Sequence, residues 1–191
     1  LKPNGPRAPR ACAAAAAPHP CAMASAAEPP LLCVAYIGSD SSPLFFRSFL
    51  QQEAPAEGAG PEADDLELMM MLYSSLDQVE VHLKASVQAL QRGETRNPDP
   101  YLGILSPGLF DAEDCNIYGH VSATNVKVLA AVRDGVCKQR RDEDGILRSL
   151  LRQLHLLYVD AASDPFYQGL GKPSFSAKVT GIVERHAAMF A

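Results

Sequence analysis

No C-x-x-C pair occurs in this sequence. Its five cysteines, at 12, 21, 33, 115 and 137, are odd in number and widely spaced. That pattern suits neither a disulfide framework nor a zinc site. It fits a reducing cytosolic compartment. No apolar run reaches the roughly 20 residues that a membrane-spanning helix needs, so no transmembrane helix is predicted. Tryptophan is absent, and no basic run is interleaved with aromatics. The chain therefore lacks the electrostatic footprint of a nucleic-acid binder. No H-E-x-x-H and no G-x-S-x-G occurs, which removes the usual signatures of zinc-dependent and serine-dependent hydrolysis.

The length of 191 residues suits one domain with a full core. The apolar share is 47% and the charged share 20%, both ordinary for a globular protein. The net charge of −5 is unevenly placed. Lys2, Arg7 and Arg10 outnumber Glu28 in residues 1–30, so the excess acid lies in the body of the chain. Such a body is weakly repelled by anionic lipid.

Residues 1–30 are rich in Ala and Pro without apolar periodicity. They are read as a disordered extension outside the fold, because they cannot bury enough surface to offset ordering entropy. Met23-Ala24-Ser25 is a candidate true start, which would leave residues 1–22 as a leader. The rival reading is an organelle transit peptide, favoured by Arg and Ala but opposed by scarce Ser and frequent Pro.

Residues 31–191 read as one domain. Leu31 to Ile37 is a continuous apolar run of strand length. The cluster Gly38 to Pro43 marks a turn, and Leu44 to Phe49 completes a hairpin. Both strands carry apolar groups on both faces, which implies a sheet covered on both sides. After a polar loop at 52–63, Asp64 and Asp65 open a long helix with negative charge at its N-terminus. Leu66, Met69, Tyr73, Leu76, Leu83, Val87 and Leu90 recur along it at helical spacing, to about Gln91. Strands follow at Tyr101 to Leu105, Cys115 to Val121 and Asn125 to Val132. Cys33 and Cys115, inside strands, suit small buried hydrophobes.

Asp142, Glu143 and Asp144 precede a second helix striped by Leu147, Leu150, Leu151, Leu154, Tyr158 and Ala161. Arg148, Arg152 and His155 fall elsewhere on its wheel. A third helix, capped by Ser174 or Ser176, turns Val179, Ile182, Val183 and Phe190 inward. The predicted order is β-β-α-β-β-β-α-α. It makes an α/β (α+β) sandwich with a five-stranded, mainly antiparallel sheet, one helix on one face and two on the other.

That order is the longin, or SNARE-like, arrangement. The strings Tyr101 to Leu105, Ile117 to Val121 and Asn125 to Lys127 resemble the central meander of the sedlin family. Leu147 to Leu150, Leu154-His155 with Tyr158, and Asp164-Pro165-Phe166-Tyr167 resemble its second helix and the turn after it. Ser75-Leu76-Asp77 is similar to its first-helix motif. The resemblance spans roughly residues 31–191. It implies a non-catalytic adaptor without cofactor, held among the other subunits of the trafficking protein particle (TRAPP) complex. That complex tethers vesicles in ER-to-Golgi and intra-Golgi transport and, when assembled, exchanges nucleotide on Rab GTPases. The implied location is cytoplasmic and peripheral to ER and Golgi membranes. The alternative is a longin-type adaptor or regulator of another trafficking complex, such as a coat-adaptor small chain. Three features depart from the family: the N-terminal extension, the longer loop at 52–63, and Asp164 where Asn is common. Asp keeps the turn chemistry of that position.

Candidate chemistry in the residues themselves is sparse. His82, His120, His155 and His186 lie on separate elements and read as exposed or core-satisfied. Gly169-Leu170-Gly171-Lys172 fails as a phosphate loop, since Phe166 and Pro173 occupy required positions. Asp142 and Asp144 read as helix-start charges. Two features stand out. Leu68-Met69-Met70-Met71-Leu72 is apolar around a whole turn, so one side must meet something besides the sheet. Met70 and Met71 are candidate partner contacts; the competing reading has the 52–63 loop folding over them. Asp77, between Leu76 and Val79, is either a subunit contact, as the family match implies, or a solvated surface acid.

Overall fold

A computed structural model describes residues 29–50, 63–93, 99–105, 115–133 and 143–190. Expectations for residues 1–28 and for the loop at 52–62 lie outside the described residues. The strands are β1 (Leu31–Ile37), β2 (Pro43–Ser48), β3 (Tyr101–Leu105), β4 (Cys115–Val121) and β5 (Lys127–Arg133). The helices are α1 (Ala63–Ser74), α2 (Leu76–Gln91), α3 (Glu143–Ala162) and α4 (Pro173–Phe190). All neighbouring strands pair antiparallel in the order β2-β1-β5-β4-β3. The first and last strands of the five, in chain order, thus meet in the middle of the sheet.

The two faces carry separate cores. On one, Val34, Tyr36, Val128 and Ala130 meet Leu147, Leu150, Leu151 and Leu154 of α3 and Phe175, Val179 and Val183 of α4. On the other, Cys33, Ala35, Leu129 and Ala131 meet Leu68, Met71 and Leu72 of α1 and Leu76 and Val79 of α2. Strict alternation would put Leu32 and Cys33 on opposite faces. Both lie in the second core, because the pairing of β1 with β5 shifts register between Leu31 and Cys33. Tyr36 anchors the first core. Its hydroxyl donates to the Leu154 carbonyl at 2.9 Å, and its ring meets Phe45 and Phe175 edge to face.

The long first helix is two helices meeting at Ser75. The cause is local. Ser74 and Ser75 hydroxyls donate to the carbonyls of Met71 and Leu72, each at 2.7 Å. Back-bonding of this kind competes with the helical ladder, although Ser75 itself keeps helical dihedrals, φ −73° and ψ −13°. The third predicted helix also starts differently. Pro173 opens α4, where its fixed φ and missing N–H suit a first helical position. Ser176, one of the two candidate caps with Ser174, instead accepts a hydrogen bond from Arg47 of β2. The Asp164 turn forms as its chemistry requires: the Phe166 N–H donates to Asp164 Oδ1 at 2.9 Å.

Candidate interaction surfaces

The α1 turn around the methionines is split by helix phase. Met71 is 7% exposed, inside the second core, with its Sδ 3.8 Å from the Cys115 Sγ. Met70 is 51% exposed. Leu66, Met70 and Tyr73 are spaced by four and three residues and all face solvent, an apolar strip on the outer side of α1. Asp77 stands exposed just past the Ser75 elbow. The two methionines therefore do not share a surface: Met70 lies on the outer side of α1 and Met71 holds the helix to the sheet.

A second feature escaped the sequence. The C-terminal half of α2, the start of β3, the end of β4, the β4–β5 turn and one side of α3 enclose a groove of about 880 Å³. On its α2 wall, Leu83 is half-buried, while Val87 and Leu90 are 53% and 49% exposed. These three belong to the stripe that recurs at helical spacing: Leu83 packs against the second core, while Val87 and Leu90 beyond it stay exposed. On the α3 wall lie Arg148, Arg152, His155 and the exposed Leu156.

The groove is built around a braced strand end. The Tyr101 hydroxyl donates to Asp144 Oδ1 at 2.6 Å, and the Arg148 guanidinium lies 4.6 Å from the centre of the Tyr101 ring. Arg148 is also ion-paired with Asp99. Asp144, read as a helix-start charge, thus also fastens α3 to β3. Burial, then the hydrogen bond to Asp144, pushes the Tyr101 phenol up, so it stays a donor at any ordinary pH.

Deeper in, the His120 and His155 rings lie with centroids 4.8 Å apart. The sequence places them on separate elements; the crossing of α3 over β4 brings them together. His120 is 4% exposed, and its Nε2 is buried with no hydrogen-bond partner. Burial, reinforced by His155 and opposed by Asp99, lowers its pKa to about 4. Burial lowers His155 as well. Both imidazoles are therefore neutral near pH 7. Asn125, at φ 59° in the β4–β5 turn, also lines the groove, and its buried Oδ1 has no partner. Arg152 has no acidic partner among the described residues.

Elsewhere, burial pushes the Cys33 thiol up to about 12. It is a core residue, as its strand position implied. Leu170, within the failed phosphate-loop string, is a core residue too. No helix among the described residues is long and apolar enough to cross a membrane.

A five-stranded antiparallel sheet held between two helical layers is the longin-type arrangement. A family model described as Sedlin matches residues 36–185, and the chain belongs to that family. It is similar to the trafficking protein particle complex subunit 2-like protein of Bos taurus, 32% identical over 71% of this chain and 82% of the relative. The Rattus norvegicus protein of the same name is 31% identical over the same shares. That of Dictyostelium discoideum is 28% identical over 80% of this chain and 96% of its own length.

Proposed function

We propose that this chain is a non-catalytic adaptor subunit of the TRAPP vesicle-tethering complex. In this role it supports assembly of the Rab nucleotide-exchange complex that serves ER-to-Golgi and intra-Golgi transport. It works in the cytoplasm, peripheral to those membranes. The observation that carries the reading is similarity to TRAPP subunit 2-like proteins over most of both chains. The outer strip of α1 supplies a physical means, with Leu66, Met70 and Tyr73 as apolar contacts and Asp77 as a charged one. Met71 belongs to this surface only indirectly, by seating the helix that displays Met70.

Met70→Lys and Asp77→Ala both change exposed side chains, so both variants keep the fold. Expressed with an affinity tag in cells, the native chain is expected to recover other TRAPP subunits, and each variant to recover fewer. Undiminished recovery by both variants removes the α1 strip from the reading. Absence of TRAPP subunits from the native chain's complex removes the adaptor role itself.

A further inference from the structure

We propose that the groove between α2 and α3 is a second docking site, and that it takes a short peptide segment of a partner protein with apolar side chains flanking an acidic one. Four observations meet in this groove. Leu83, Val87 and Leu90 form an apolar wall at helical spacing; Leu83 is partly seated on the second core, no described element covers Val87 and Leu90, and Leu156 faces them from α3. The Asn125 Oδ1 is a buried acceptor without a donor. The His120 Nε2 is likewise buried and unpartnered, on a side chain 4% exposed. Arg152 offers a cation, whereas its neighbour Arg148 is already engaged by Asp99.

Each requirement narrows the occupant. Leaving a buried polar group unsatisfied costs about 1–3 kcal/mol, so an occupant that bonds Asn125 and His120 gains what the empty groove forfeits. Asn125 Oδ1 accepts only, and needs an N–H or O–H. A hydrocarbon chain with a carboxylate head has no N–H to give. A peptide backbone offers N–H and C=O groups in alternation. Water alone leaves the apolar wall wet. The excess positive charge at Arg152 selects an Asp or Glu on the peptide.

The chain's own N-terminal residues suit the groove poorly, since Lys2, Arg7 and Arg10 carry the same sign as Arg152. Residues 51–62 are acidic, but they join β2, the sheet edge opposite β3, to the start of α1.

The test is selection of short random displayed peptides on the full-length chain, followed by fluorescence anisotropy with labelled synthetic copies of the enriched sequences. The expected consensus is apolar residues around an Asp or Glu. Arg152→Glu and Leu156→Asp, both on exposed positions, are expected to weaken these peptides about tenfold or more, and Met70→Lys to leave them unchanged. That last arm separates this site from the α1 strip. Selection of peptides without an acid, affinities indifferent to Arg152→Glu, or no groove-dependent peptide at all overturns the proposal. So does dodecanoate binding that depends on Arg152 and Leu156 while peptides do not bind, an outcome that assigns the groove to lipid.

Discussion

Acid should weaken this fold through His120 before it reaches most carboxylates. The imidazole is buried beside His155 with its pKa lowered to about 4, against 6.5 for the free group. Between those values the unfolded chain binds a proton that the folded chain refuses. Stability is therefore fully present above about pH 6.5 and falls as pH drops towards 4. At 1.36 kcal/mol per pH unit of difference, the loss between pH 7 and pH 5 is about 2 kcal/mol from this one side chain. His155, shifted the same way, adds to it.

His120→Phe keeps a ring against His155 and removes the titration. Urea unfolding at pH 7 and pH 5, followed by circular dichroism because tryptophan is absent, gives the stability of each protein. Carboxylates titrate equally in both, so the comparison isolates the imidazole. The native chain is expected to lose about 2 kcal/mol more than the variant over this interval. Equal losses in the two proteins refute the argument.

Tyr36→Phe removes the buried hydroxyl that donates to the Leu154 carbonyl; urea unfolding should show a loss of about 1 kcal/mol and no change in the far-ultraviolet spectrum. Gly119→Ala places a Cβ 2.6 Å from Leu105 Cδ1, on a side chain 1% exposed, and should cost about 1–3 kcal/mol by overpacking, read as a lowered melting temperature. Cys33, with its thiol pushed up to about 12, should resist iodoacetamide at pH 8 in the native chain and react once urea is added, as peptide mass spectrometry will report.

What could be read from the sequence follows the range of the forces involved. The continuous run at Leu31 to Ile37 and the turn cluster after it are local signals, and they correspond to β1, a turn and β2. The stripe from Leu147 to Leu154 likewise marks the buried side of α3. The break at Ser75 was hidden because a single serine costs only a few tenths of a kcal/mol in a helical pattern; its hydroxyl's choice of Leu72 as acceptor shows only in three dimensions. Helix phase against the sheet fixes what periodicity left open: Met71 turns inward and Met70 outward. The groove had no sequence signal. His120, Asn125 and Arg152 converge only through the crossing of α3 over the β4 end of the sheet, which no spacing along the chain encodes. The apolar residues at 83, 87 and 90 were visible, but periodicity cannot say whether a stripe meets its own sheet or a visitor.

The pattern of seated residues makes the first helical layer a clamped beam with a free arm. The clamp is strong up to Val79, where Leu68, Leu72, Leu76 and Val79 are seated in the core. Beyond it, α2 runs on to Gln91 with Leu83 as its partly seated contact to that core. An arm held mainly at one end opens locally at little cost compared with the clamped part. Amide protons from Val87 onwards should thus exchange faster than those of α1, and anything that settles on the arm should slow them. The helix then serves as its own gauge, its outer turns reporting occupancy while its inner turns report folding.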